Sequence, residues 1–210
     1  MTKTWDDFLL PYEQTVLEIK AKFLALKKQF ERSQKHVPIE FVVGRVKPVD
    51  SIAEKMQRRK INRERLAIDM EDIAGVRIMC QFVDDIYQIV KLIRKRKDMH
   101  IVDERDYILN KKPSGYRSYH IVVEYPVQML EGQKNILAEI QIRTLAMNFW
   151  ATIEHSLNYK YQGEFPEALE TRLQRAAEAA FQLDKEMTAI REEIQEAQSL
   201  FSYKRGHTKE

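Results

Sequence analysis

The chain has 210 residues, a formal charge of +3, one cysteine, six glycines and 44% hydrophobic residues, which suits one globular domain able to bury its own core. Cys80 alone excludes a disulfide framework and a cysteine-built zinc site, so a cytoplasmic protein is the simplest expectation. The N-terminus does not read as a signal peptide, no run approaches the ~18 apolar residues of a membrane span, and glycines at 44, 75, 115, 132, 163 and 206 stand too far apart for a glycine-rich phosphate loop.

In chain order, Thr4 and Asp7 read as a capping box opening a helix over 5–33, with Pro11 kinking it or marking its true start. Lys20 and Lys27, seven apart, share one face of it. A strand follows over 39–47, ended by Pro48. Ser51 and Glu54 form a second expected capping box, starting a helix over 52–60. Residues 74–82 read as a central strand and 84–97 as a helix; further strands are expected near 99–104, 118–126 and 135–143. Helices return from Leu145, break at Gly163 to Pro166, and end in a long helix over 166–202. Its stripe of Leu169, Leu173, Ala176, Ala180, Leu183, Met187, Ile190, Ile194, Ala197 and Phe201 calls for packing on the first helix or on another subunit. His207 onward reads as a frayed tail. The whole is an α+β fold with a mixed sheet of about five strands and long flanking helices, organised as an N-terminal helix (1–34), a core (35–160) and a helical extension (161–210) in one integrated domain.

Charge is uneven: residues 35–120 hold 19 basic and 13 acidic groups, which suggests a local anionic ligand, with single-stranded RNA as an alternative. Arg45 and Lys47 share a strand face, while Ser51, Lys55 and Arg58 or Arg59 share a helix face, so a strand and a helix joined at Pro48 can present cations to a triphosphate. Arg77, opposite the apolar face of its strand, needs an acid or a planar ligand. On 137–143, alternation puts Glu139, Gln141 and Arg143 on one face. If that strand lies beside 74–82, Glu139 and Asp72 can hold one Mg²⁺, an ion that takes oxygen ligands; the sequence leaves this adjacency open. In the turn at Gly115, Tyr116 can offer a ring to a base while Lys112 and His120 reach phosphates, and Asn148 is a candidate base reader.

The runs Asp72-Ile73-Ala74-Gly75-Val76-Arg77, Ser114-Gly115-Tyr116-Arg117-Ser118-Tyr119-His120, Glu139-Ile140-Gln141-Ile142-Arg143-Thr144 and Trp150-Ala151-Thr152-Ile153-Glu154-His155 resemble the synthetase domain of the RelA/SpoT family, most closely its small alarmone synthetases of the RelQ type. The resemblance implies a nucleotidyltransferase-like fold and a Mg²⁺-dependent transfer of the β,γ-pyrophosphate of ATP to the 3′-hydroxyl of GDP or GTP, making ppGpp or pppGpp. It assigns Asp72 and Glu139 to the metal, with Glu139 also as catalytic base. Arg45 and Arg77 flank adenine, and Lys47, Ser51, Lys55, Arg58 and Arg105 meet ATP phosphates. Tyr116 and Asn148 contact guanine, and Lys112 and His120 the acceptor's phosphates. It further implies a homotetramer activated by pppGpp, for which Lys20 and Lys27 are candidate contacts. No histidine is followed by aspartate, so the family's hydrolase motif is lacking.

Overall fold

Thr4 caps the first helix as its spacing to Asp7 predicts: each backbone N–H bonds the other's side chain at 3.2 Å. The computed structural model describes residues 4–161 and 166–207. Its elements are α1 (Trp5–Arg32), β1 (Phe41–Val46), α2 (Val49–Arg59), α3 (Leu66–Asp69), β2 (Ala74–Cys80), α4 (Val83–Arg94), β3 (His100–Asp106), β4 (Tyr119–Met129), β5 (Gly132–Thr144), α5 (Leu145–Lys160) and α6 (Glu167–His207). The expected break at Gly163, the side chain of Phe201 and the tail at 208–210 lie outside the described residues. No helix among the described residues is long and apolar enough to cross a membrane.

Three expectations are corrected. Pro11 does not start α1, which begins at Trp5 and runs through the proline. Ser51 does not cap α2: the helix starts at Val49, and Pro48 holds the cap position without a side-chain bond, because its fixed φ of −59° turns the chain directly out of β1. Ser51 is therefore the third helical residue.

The five strands form one mixed sheet in the order β1-β2-β5-β4-β3, with β2 and β5 parallel and the other pairs antiparallel. Alternation divides it into a dry and a wet face. Ala74, Val76 and Ile78 of β2 and Ala138, Ile140 and Ile142 of β5 are fully buried, in a core shared with Tyr12, Val16, Ile19 and Phe23 of α1 and Ile86, Ile89 and Ile93 of α4. Each large side chain buried there contributes roughly 1.5–3 kcal/mol. Gly44 lets α1 lie close on β1, since a Cβ there would come 2.5 Å from a Val16 methyl. The opposite face carries Arg77, Glu139 and Gln141.

The third correction concerns the C-terminal stripe. α6 packs on α5 and α4, and from residue 177 onward its inward line is Ala177, Asp184 and Arg191, seven apart. Leu183, Met187, Ile190 and Ile194 face outward, 39–53% exposed. Helical spacing defines an apolar stripe without saying which neighbour covers it.

Asp184 is buried and accepts a 2.6 Å bond from the Thr144 hydroxyl at the end of β5. Burial pushes its carboxyl from 3.8 up to about 6, and the Thr144 bond opposes only part of that. The protonated form thus favours the folded state; this contribution is full below the ordinary value and is lost as pH rises through about 6. Asp184→Asn keeps an acceptor for Thr144 and cannot ionise. Melting curves should show the variant a few degrees more stable than the parent at pH 7.5, with the gain gone by pH 4.

Candidate active site

Strand register assembles the wet face. Across the sheet, Arg45 of β1 stands opposite Gly75 of β2, and Gly75 opposite Glu139 of β5. One step on, Arg77 of β2 stands opposite Gln141, Gln141 opposite His120 of β4, and His120 opposite Arg105 of β3. Four strands therefore contribute to one row of polar side chains. The adjacency that the sequence leaves open is a parallel pairing, and it places Glu139 beside the strand that Asp72 precedes.

Asp72 holds two cations, one on each carboxylate oxygen: Lys55 at 2.7 Å and Lys47 at 3.0 Å. Burial works to raise its pKa, but the Lys55 hydrogen bond and the two ammonium charges outweigh it and keep the group below its ordinary value. Lys47 is placed by its own backbone, whose N–H bonds the Ile73 carbonyl at 2.8 Å just beyond β1.

Glu139 sits in a tighter network. Its Oε1 is 2.8 Å from His120 Nδ1, and its Oε2 accepts from Gln141 Nε2 at 2.7 Å. His120 Nε2 is 2.8 Å from the Tyr116 hydroxyl, which also accepts from Arg143; Arg143 and Arg77 both donate to Gln141 Oε1. An ionised Glu139 only accepts, so His120 Nδ1 carries a proton toward it. Burial would raise the Glu139 pKa, but the bond and charge of His120 and the Gln141 bond bring it below the usual value. The carboxylate is thus held ionised inside a half-buried site. Arg77 shows the converse: burial, then the charges of Arg143 and Arg45, depress its pKa.

These groups open onto a cavity of about 560 Å³, a size suited to small ligands. Eight lysines and arginines and four carboxylates line it. Of the residues read from sequence, Arg45, Lys55, Arg58, Asp72, Arg77, Arg105, Lys112, Tyr116, His120 and Glu139 meet there. Lys47 reaches it only through Asp72. Ser51 and Asn148 do not line it; α5 contributes Ala151, Thr152, Glu154 and His155 instead, beginning one turn after Asn148. Arg105 pairs with Glu71 at 2.8 Å, and the Lys112 ammonium lies over the rings of Tyr107 and Tyr116, 4.6 and 5.0 Å from their centroids. Lys20 and Lys27 lie on α1, across the sheet, where Lys27 donates to the Glu40 carbonyl at 2.6 Å.

The sequence reading gives no role to Glu71, Tyr107, Gln141 or Arg143, and it leaves Arg59 as an alternative to Arg58, whereas both arginines line the cavity. For Gln141 and Arg143 the signal was present, since both share the Glu139 face at period two. Tyr107 is carried there by the sheet edge, its N–H bonding the Ser118 carbonyl at 3.0 Å, and no local pattern marks it.

Asp72 and Glu139 among eight cations, at the polar face of a mixed sheet flanked by helices, define a protein that binds a nucleotide polyphosphate and can act on its phosphates. The chain belongs to the RelA/SpoT family: the family model described as "Region found in RelA / SpoT proteins" matches residues 44–164. It is 58% identical over 203 residues to the GTP pyrophosphokinase YjbM of Bacillus subtilis, covering 97% of this chain and 96% of that one. The crystal structure of small alarmone synthetase 1 from Bacillus subtilis bound to its product pppGpp matches with a TM-score of 0.88 at 58% identity, covering 91% of this chain and 98% of that one. The structure of that synthetase bound to AMPCPP matches with a TM-score of 0.80 at 54% identity, with the same coverage of both chains. The α+β fold expected from the motifs is the fold these structures share.

Proposed function

We propose that this protein is a GTP pyrophosphokinase that moves the β,γ-pyrophosphate of ATP to the 3′-hydroxyl of GDP or GTP, making ppGpp or pppGpp. The observation that carries the reading is Glu139, bonded to His120 and Gln141, between two differently built sides of the site. On one side stand Arg45 and Arg77, with Gly75 in a small adjoining cleft; on the other stand Lys112, Tyr116 and His120.

On this reading ATP lies along the first side, with adenine between Arg45 and Arg77 and its phosphates against Lys47, Ser51, Lys55, Arg58 and Arg105. The acceptor's guanine stacks on Tyr116, with Asn148 as a further base contact, and its phosphates meet Lys112 and His120. Glu139 takes the proton of the 3′-hydroxyl as that oxygen bonds to the β-phosphorus; the bond from the β-phosphorus to the α,β-bridging oxygen breaks, and AMP leaves. Most of the work is positioning and charge neutralisation. Asp72 and Glu139 are the residues that would hold Mg²⁺. Among the described residues no cluster of three or more acidic, histidine or cysteine side chains could hold a metal alone, and a carboxylate pair completed by phosphates and water is the usual Mg²⁺ arrangement. When bound, the ion supplies charge neutralisation at the transferring phosphates.

The same proposal includes a cytoplasmic homotetramer activated by pppGpp, with Lys20 and Lys27 as contacts. Two outward apolar stripes support assembly: Leu145, Phe149, Ile153 and Leu157 on α5, and Leu183, Met187, Ile190 and Ile194 on α6.

Chromatography after incubation with ATP, Mg²⁺ and each acceptor tests the reaction. A 3′-pyrophosphorylated guanine nucleotide with AMP is expected; release of pyrophosphate from ATP in place of AMP would overturn it. Gly75 supplies a second test, because its missing side chain leaves a cleft of about 90 Å³ between Arg45 and Glu139. A Cβ there would meet only the Arg45 carbonyl, at 3.5 Å. Gly75→Val should fold and fill this cleft, raising the KM for ATP about tenfold with little change in the acceptor KM.

A further inference from the structure

The connection between β3 and β4 carries Lys112 and Tyr116, and α6 shapes it from outside the sheet. Gly115 adopts φ +89°, and a Cβ there would stand 2.6 Å from the Ala177 Cβ and 3.5 Å from the Gln174 Cα, so the turn lies directly against the helix. Two residues on, the buried Arg117 guanidinium stacks on the Phe181 ring at 3.9 Å and donates to Glu178 Oε2 at 2.9 Å. On the other flank, Lys111 bonds the same oxygen at 3.1 Å. One carboxylate of α6 thus ties both ends of the turn that presents Tyr116.

The two ties differ in weight. Lys111 and Glu178 are an exposed pair, of the kind that contributes little. Arg117 is buried, and its Nε has no hydrogen-bond partner, so without Glu178 a buried cation loses its anion. The backbone of the turn is held by short-range bonds, Lys112 N–H to the Tyr116 carbonyl at 3.2 Å and Gly115 N–H to the Lys112 carbonyl at 2.8 Å, while the tip of the Tyr116 side chain is held from the sheet by His120 and Arg143.

We infer that Glu178 is a positioning residue for the acceptor nucleotide: by holding Arg117 and Lys111 it pre-forms the turn that presents Tyr116 and Lys112, and so sets guanine-nucleotide affinity without touching the nucleotide. This rests on the pyrophosphokinase reading for the ligand's identity, whereas the tie itself does not. A pre-formed turn spares the ordering cost on binding, and that cost falls on the acceptor alone.

The test uses Glu178→Gln and Glu178→Asp in the full chain, with steady-state kinetics and amide hydrogen exchange. Glu178→Gln should raise the KM for GDP and GTP about tenfold while the ATP KM and kcat change less than about threefold. Glu178→Asp, which keeps the charge, should recover much of the loss. Exchange at Lys112 and Gly115 should quicken in the Gln variant while β2 and β5 are unchanged. An equal rise in both KM values, or unchanged exchange in the turn, would overturn the inference. If the parent protein makes no pyrophosphorylated product, the functional reading fails, and the exchange comparison still decides whether Glu178 holds the turn.

Discussion

Glu139→Gln should lower kcat about a thousandfold while the protein stays folded, the loss expected when a positioned base is removed from a proton transfer. Glutamine has the same shape and its carbonyl can still accept from His120 Nδ1, the bond that Glu139 makes at 2.8 Å; its amide then meets the Gln141 amide donor in place of the 2.7 Å bond, a local cost that lowers the melting temperature by a few degrees and leaves the fold intact. It cannot take a proton from an attacking hydroxyl. The ATP KM should change little, because Arg45, Lys55, Arg58 and Arg77 still line the cavity. The native carboxylate is kept ionised below its ordinary pKa by His120 and Gln141 against the effect of burial, so the parent's rate gains nothing from this group as pH rises through neutrality. Timed AMP release, beside a melting curve, checks the prediction; an unchanged kcat would remove Glu139 from the proton transfer.

How much of this site could be read from sequence follows from the range of each signal. Alternation along 137–143 is local, and it places Glu139, Gln141 and Arg143 on one face whatever the surrounding fold. Helical spacing likewise aligned Lys55 and Arg58, and the structure puts both in the cavity. That Glu139 stands opposite Gly75 depends on a parallel pairing between distant segments, which no local pattern encodes; only the family resemblance suggested it. At the start of α2, Ser51 and Glu54 satisfy a capping spacing, but the helix begins at Val49 because Pro48 has already turned the chain. The C-terminal stripe has two expected partners, the first helix or another subunit, and its spacing does not choose between them for a related reason. An apolar line shows that a surface seeks cover, yet α6 turns Asp184 and Arg191 inward, bonded to Thr144 and Asp84, and leaves Leu183 to Ile194 outward. Polar residues that pair across helices outcompete an apolar stripe within one chain when another surface can cover that stripe.

Asp72→Asn should separate binding from turnover more sharply than any other change here. The aspartate holds Lys55 and Lys47 on separate oxygens, and both lysine side chains are only 13% exposed. An asparagine has one acceptor oxygen, so one lysine would face its amide donor instead. The carboxyl's lowered pKa means that its ionised form stabilises the folded state: this contribution is present above the unfolded value of 3.8 and is lost as pH falls through the lower folded value. The variant should therefore melt below the parent at neutral pH, with the gap closing on strong acidification. Binding should move the other way. With the carboxylate gone, Lys47 and Lys55 are freed for phosphate, and one negative charge no longer opposes the nucleotide. ATP measured in EDTA should bind the variant severalfold more tightly, while kcat in Mg²⁺ falls about a hundredfold or more. The Mg²⁺ concentration for half-maximal rate should rise as well. Parallel losses of ATP affinity and kcat would mean that Asp72 serves only to orient the two lysines. Tighter ATP with collapsed turnover would mean that the carboxylate is retained for the transition state at the expense of substrate binding.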